Sequence, residues 1–264
     1  MLGCIITGDA LRHRYFAKSL SEQLEVSLVA FEKKVDTIKS FNYHPTEIVI
    51  LEEHFKERDE SEKKYFSDCE QIVFPQSLEL QVGQPNSSDF FEKIKSAGVD
   101  YIVLFGSSLI KDPLLSYYSA RIFNLHLGLS PYYKGSGTNF WPLVDGLPEC
   151  VGATIHLATV NVDGGGILHQ LRPNVAYDDT IHDFGNKTII EATKAIPIVI
   201  EHYFSGRIKP AQQDLALGKI CRRRDLTAQS VLSMRRNFAK GMLASYIADK
   251  QQRDFRYPIV KQGD

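Results

Sequence analysis

Apolar residues along this chain fall into short unbroken runs, separated by longer stretches in which they recur every three or four positions. That alternation predicts strands alternating with helices. Residues 2–7 read as an opening strand and Gly8-Asp9 as a turn. Residues 10–24 then read as a helix with Leu11, Phe16, Leu20 and Leu24 along one side. Residues 26–31 return as a strand. The stretch 48–66 is dense in Glu, Lys and Arg around Leu51, Phe55 and Tyr65, the pattern of a largely solvated helix. Ser87-Ser88-Asp89 caps a helix that runs through Ala97 and stops at Gly98; the unbroken apolar run 100–105 then reads as a buried parallel strand.

Residues 122–125 form the next strand, 128–138 a glycine-rich loop, and 139–144 a short helix carrying Trp141, the chain's one tryptophan, read here as a packing anchor. Residues 151–157 and 166–171 read as two strands around a turn at Asp163, and Asp179-Thr180 opens a helix through about residue 204. The βαβ rhythm favours an α/β sheet with helices on its faces. Residues 1–205 complete a main domain. Residues 206–264, with Arg222-Arg223-Arg224 and an amphipathic segment 228–247, read as a C-terminal extension packed on it.

Composition narrows the class. A chain of 264 residues, 43% hydrophobic, is long enough for a substantial core. Its formal net charge of -1 gives no global attraction to nucleic acid or to an anionic membrane. Cys4, Cys69, Cys150 and Cys221 are scattered, with no Cys/His spacing of a zinc site, and read as free thiols. The N-terminal apolar run is broken at Gly8-Asp9, too early for a signal peptide or a membrane span, so the expected location is the cytoplasm.

The candidate chemistry lies at residues 123–131, Phe-Asn-Leu-His-Leu-Gly-Leu-Ser-Pro, and at the turn Val162-Asp163-Gly164-Gly165-Gly166. Asn124 and His126 stand two apart on a strand and share a face. Asp163 precedes three glycines, where backbone can turn tightly against a bound molecule. An amide, an imidazole and an acid together suit acyl transfer. Taken singly, Asn124 reads equally as a strand-end cap, His126 as a structural histidine, and Asp163 with its glycines as a hairpin turn. His156 reads as a buried supporting residue and Arg222–Arg224 as solvated surface.

These residues resemble the formyltransferases that use 10-formyltetrahydrofolate, a family including glycinamide ribonucleotide, methionyl-tRNA and amino-sugar formyltransferases. The family's N-x-H stretch running into an SLLP-x-Y-x-G loop is similar to residues 123–135 here. Its D-x-G turn is similar to Asp163-Gly164-Gly165, and its T-x-H strand to Thr154-Ile155-His156. The likeness is strongest over residues 100–175. Leu127 replaces the usual proline after the histidine, Gly128 stands where serine is common, and Gly8-Asp9-Ala10-Leu11 replaces the phosphate loop of the ribonucleotide-using members.

The resemblance implies a Rossmann-like open twisted sheet with flanking helices and a formyl transfer through a tetrahedral intermediate. Asn124 and a protonated His126 would donate to the oxyanion, with Asp163 keeping the imidazole charged and handling protons. The donor, 10-formyltetrahydrofolate, would lie against Leu104, Phe105, Gly106, Ser107, Leu109 and Ile110 and against Val162, Gly164 and Gly165. The acceptor, a small amine and by preference one on a nucleotide-linked sugar, would meet Arg12 and His13 and, in the loop, Tyr133, Lys134 and Gly135. No metal is required. Hydrolysis of the same folate, and a catalytically silent folate or nucleotide binder, remain the alternatives.

Overall fold

The computed structural model describes residues 1–262. The chain runs β1 (Gly3–Gly8), α1 (Leu11–Ser21), β2 (Val26–Glu32), α2 (Pro45–Phe66), β3 (Ser77–Leu80), α3 (Ser88–Ser96), β4 (Tyr101–Phe105), α4 (Leu114–Tyr117) and β5 (Ile122–His126). It continues through β6 (Tyr133–Gly135), α5 (Trp141–Val144), β7 (Ala153–Leu157), β8 (Ile167–Leu171), α6 (Ile181–Phe204), β9 (Lys219–Cys221), α7 (Ala228–Ala239), α8 (Met242–Ala248) and α9 (Lys250–Arg256). Seven strands form one sheet in the order β3-β2-β1-β4-β5-β7-β8, and β6 and β9 form a separate pair. Strands β1 to β5 are mutually parallel; β7 runs antiparallel to β5, and β8, antiparallel to β7, closes that side. The α/β sheet with flanking helices expected from the alternating pattern is therefore present.

Alternation along the central strands assigns each side chain to one of two faces. Ile5, Val103, Phe105, Phe123 and Leu125 pack with Phe16, Leu20, Ile196 and Ile200 of α1 and α6. Cys4, Ile6, Ile102, Leu104 and Ile122 pack on the other face with Phe90, Ile94 and Leu114. A parallel sheet covered on both faces accounts for the near-continuous apolar runs.

Several boundaries shift. Helix α1 ends at Ser21 instead of continuing to Leu24, and α2 begins at Pro45, after His44, whose side chain accepts from the Thr46 N–H. Helix α2 is largely solvated, as its charges suggested, with Leu51, His54, Glu62 and Phe66 as its buried exceptions. Strand β3 and the β6–β9 pair are additional: each is only three or four residues long and lacks an apolar run.

The segment after Phe204 is tied to the rest at several places. Strand β9 pairs in parallel with β6, Ala211 bridges Ile167, and Val231, Met234, Leu243 and Tyr246 share a core with Leu51, Leu143 and Phe184. No helix among the described residues is long and apolar enough to cross a membrane.

Candidate active site

The carboxyl ends of β1, β4 and β5 and the β7–β8 turn open into a cleft of about 1530 Å³. That is larger than the roughly 300–1,000 Å³ of ordinary small-ligand pockets, and it leaves room for two ligands together. In open α/β sheets this edge is where ligands gather.

Asn124 and His126, on β5, both point into the cleft. The antiparallel register of β5 and β7 sets Asn124 opposite His156 and His126 opposite Thr154. Asn124 Nδ2 lies 2.9 Å from His156 Nε2 and 3.4 Å from Asp163 Oδ1. His126 Nδ1 lies 3.2 Å from Asp163 Oδ2, and His126 Nε2 lies 2.9 Å from the Tyr133 carbonyl oxygen. Asp163 Oδ2 also accepts from the Gly135 backbone N–H at 2.7 Å. The amide, the two imidazoles and the acid thus form one connected cluster, held together by a single carboxylate.

The turn that carries Asp163 is unusual. Asp163 itself adopts φ +48°, a left-handed conformation that Asp and Asn tolerate better than most residues. A Cβ on Gly165 would stand 1.7 Å from the Leu157 carbonyl oxygen, so the backbone comes too close there for any side chain. Gln213, from the C-terminal segment, donates to the carbonyls of Asp163 and Gly165 and fastens the turn from outside.

Charge is distributed unevenly in the cluster. Burial by itself would raise the Asp163 carboxyl, but His126, His156 and the Gly135 N–H outweigh it and hold the group at about 2. His126 moves the other way from expectation. Burial lowers it by more than Asp163 and the Tyr133 carbonyl raise it, so it sits below the ordinary histidine value, where the sequence suggested a raised one. A neutral ring carries one N–H, yet both of its nitrogens face acceptors. Either tautomer leaves one contact without a hydrogen, and a single added proton completes both.

The other predicted residues divide. Leu104, Phe105, Gly106, Ser107, Leu109, Ile110 and Val162 line the cleft, and so do Arg12, His13 and Gly135. Buried Glu32 fixes the β4 loop by accepting from the backbone N–H of Ser108 and of Gly83, each at 2.6 Å. Gly164 and Gly165 lie under the turn, outside the cleft lining.

Tyr133 and Lys134 do not face the cleft either, which corrects the acceptor assignment. Their side chains are buried, Tyr133 donating to Asp145 and Lys134 Nζ to the carbonyls of Leu215 and Leu217. Of β6, Gly135 lines the cleft, and its backbone N–H donates to Asp163. Arg12 is paired with buried Glu62. His13 is a buried wedge between Gly8 and Gly106, kept neutral by its burial and by Arg12, Lys34 and Arg58. Arg14 turns away to the carbonyls of Cys69 and Ile72.

The sequence reading missed the wall supplied by α2. His54, Arg58 and Glu62, spaced four apart, line the cleft together with Lys34, and that spacing on a charged helix was the available signal. Arg222 and Arg223, read as solvated surface, also line it, as does Trp141, whose Nε1–H donates to the Ser136 carbonyl at 3.1 Å.

The site is an Asn-His-Asp cluster at the carboxyl edge of an open α/β sheet, beside a cleft of about 1530 Å³. The profile described as Formyl transferase matches residues 27–200, and the chain belongs to that family. Over 146 residues it is 29% identical to a phosphoribosylglycinamide formyltransferase of Haemophilus influenzae, covering 53% of this chain and 68% of that protein. Over 122 residues it is 30% identical to the Escherichia coli K12 protein of the same name, covering 46% of this chain and 57% of that one. Among solved structures, an N-formyltransferase from Helicobacter canadensis, in complex with folinic acid and dTDP-3-aminofucose, shares the fold with a TM-score of 0.56 at 14% identity. The match covers 90% of this chain and 81% of that one. Asn124, His126, His156 and Asp163 all fall inside the family match, whereas Arg12, His13 and the C-terminal segment fall outside it.

Proposed function

We propose that this chain transfers the formyl group of 10-formyltetrahydrofolate to the amine of a small acceptor, by preference one carried on a nucleotide-linked sugar. The single observation that carries the reading is the Asn124-His126-Asp163 cluster, joined through one carboxylate, at the floor of a cleft large enough for donor and acceptor. The family membership supports formyl transfer, and the folinic acid bound by the Helicobacter canadensis enzyme supports a folate donor.

In this reading the acceptor nitrogen attacks the formyl carbon, and the carbonyl oxygen takes on negative charge. Asn124 donates to that oxygen by giving up its 3.4 Å contact to Asp163, the longer of its two. The amine proton reaches the His126–Asp163 pair, where the added hydrogen bridges Nδ1 and Oδ2 and leaves both ring nitrogens donating. The imidazolium so formed stabilises the oxyanion. As the carbon–nitrogen bond to the folate breaks, the same proton passes to the departing folate nitrogen, and the site returns to its starting charge.

Residues 104–110 and the turn at Val162 and Asp163 form the donor side. On the acceptor side, Lys34, Arg222 and Arg223 offer cations for an anionic acceptor such as a nucleotide diphosphate, while Asp9 occupies the turn after β1. Residues 1–205 act as the catalytic domain, the following segment is an extension that completes the acceptor wall, and the enzyme works in the cytoplasm.

The test is incubation of the purified protein with 10-formyltetrahydrofolate and a panel of amino-sugar nucleotides, amino acids and other amines, following tetrahydrofolate release and product mass. A gain of one formyl group on one amine is the expected result. Release of tetrahydrofolate without any amine would instead assign a hydrolase, and tight folate binding with no release under any condition would assign a silent binder.

A further inference from the structure

Helix α2 and the first turn of α6 bring together three side chains that the formyl-transfer cluster does not use. His54 is buried at 7% exposure, and its Nδ1 has no hydrogen-bond partner. His182 Nε2 is likewise buried and unpartnered. Their rings lie 4.9 Å apart between centroids, and Glu57 Oε2 stands 3.9 Å from His182 Nε2. One ligand atom from each of His54, Glu57 and His182 falls within 4.8 Å of the other two. Among the described residues this is the one such grouping of His, Cys, Asp and Glu side chains.

Buried nitrogens left without partners carry an unfavourable desolvation, so two such histidines beside one carboxylate ask for a ligand. We propose that His54, Glu57 and His182 form a binding site for a divalent transition-metal ion, zinc by its ligand chemistry, on the wall of the cleft. Two imidazoles and one carboxylate are a known donor set for zinc with an open fourth position. Ligand atoms held about 2.1 Å from a tetrahedral ion lie roughly 3.4 Å apart, so the three atoms, now within 4.8 Å of one another, would have to draw together on binding. His54 and Glu57 sit one turn apart on α2 and project toward the same side.

Two cations nearby bear on the charge balance. Arg235 donates to Glu57 Oε1 at 3.0 Å and to Glu53 Oε2 at 2.8 Å, which fixes the Glu57 carboxylate and leaves Oε2 toward His182. Arg58, stacked on Phe55, is paired with Asp59 and Glu62. Both guanidiniums therefore have carboxylate partners of their own. Because His54 and His182 line the cleft, the fourth position opens to water or to an anionic group of a bound acceptor. The site is independent of the formyl-transfer reading, since its residues lie outside the Asn124-His126-Asp163 cluster.

The test uses the full chain, stripped with a chelator and titrated with zinc alone by calorimetry, alongside cobalt titration read by visible absorption. Expected are a single zinc per chain, a rise in Tm with zinc, and the intense bands of tetrahedral cobalt. His54→Asn and His182→Asn should each weaken zinc binding by about tenfold or more, and Glu57→Gln, at a half-exposed position, should weaken it without threatening the fold. Metal-free circular dichroism confirms that each variant folds. Absence of zinc binding to the wild-type chain, an octahedral cobalt spectrum, or unchanged affinity in all three variants would each overturn the proposal.

Discussion

Asn124 Nδ2 lies 2.9 Å from His156 Nε2, directly across the β5–β7 pairing. His156 Nδ1 is 2.9 Å from the Leu157 carbonyl oxygen, and because a carbonyl only accepts, the ring hydrogen belongs on Nδ1. Nε2 is then an acceptor, and it sets which end of the Asn124 amide faces the cleft. Replacing His156 by Ala frees that amide to rotate. We expect kcat to fall about 10- to 100-fold with the donor KM nearly unchanged, the pattern of a misplaced transition-state donor. His156→Gln, which can still accept from the amide, should recover part of the loss. Equal falls for the Ala and Gln variants, or a loss confined to KM, would show that His156 only fills space.

Asp163 combines two demands, a charge for His126 and a left-handed backbone. Asn keeps the conformation and removes the charge, whereas Ala removes the charge and adds strain of about 1–2 kcal/mol at positive φ. Asp163→Asn should therefore lose about 10² to 10⁴ in kcat with Tm close to wild type, because the paired base is gone and the turn survives. Asp163→Ala should lose as much activity and also lower Tm. Comparing the two melting curves separates charge from conformation, and identical curves would remove the strain argument.

The difference between what was legible in the chain and what was not follows from how far each interaction reaches. The strand-forming runs around Ile5, Val103 and Phe123 could be read directly, because burial on both faces writes a continuous apolar run into the sequence. Asn124, His126 and Asp163 were legible as candidates because strand alternation and a glycine-rich turn limit where their side chains can go. The downward shift of His126 was not: it depends on how deeply the ring is buried, which no local pattern encodes. Tyr133 and Lys134 were misassigned because distant partners hold their side chains, Asp145 for Tyr133 and the carbonyls of Leu215 and Leu217 for Lys134, and β6 itself exists only by pairing with β9, more than eighty residues later. For the same reason the cleft-facing stripe of α2 looked like solvated surface until α6 and α1 covered its other side.

Acid should weaken the fold through its buried histidines. His13 is held well below the ordinary histidine value of 6.5, by burial first and then by Arg12, Lys34 and Arg58, and His126 is lowered mainly by burial. Between 6.5 and each lowered value the unfolded chain binds more protons than the folded one, so stability rises with pH across that window. The contribution is complete above 6.5 and is lost as pH falls below it. Asp163, held at about 2 against 3.8 in the unfolded chain, adds a further loss only below 3.8. Tm should be level above neutrality and decline steadily below 6.5, and His13→Gln should flatten the upper part of that decline. A Tm unchanged on acidification from neutrality to pH 5 would contradict the burial argument.

Gln213 couples the C-terminal segment to the chemistry. Its Nε2 donates to the Asp163 carbonyl at 2.9 Å and to the Gly165 carbonyl, while its own Oε1 is buried without a partner. A group that leaves its acceptor unsatisfied is retained here for its two donated bonds. Gln213→Leu removes the unpaired oxygen along with the donors, so the gain and loss in stability partly offset, and the change in Tm should be small. Activity should not be spared, because the Asp163 turn loses its outer fastening where Gly165 already lies too close to Leu157 to shift inward. We expect a fall of about tenfold or more in kcat, accompanied by little change in folding. Gly165→Ala should cost both, since its Cβ must displace the Leu157 carbonyl and the turn with it. Steady-state kinetics and thermal melts of the two variants side by side check the distinction. A Gln213→Leu variant with full activity would separate the C-terminal segment from catalysis altogether.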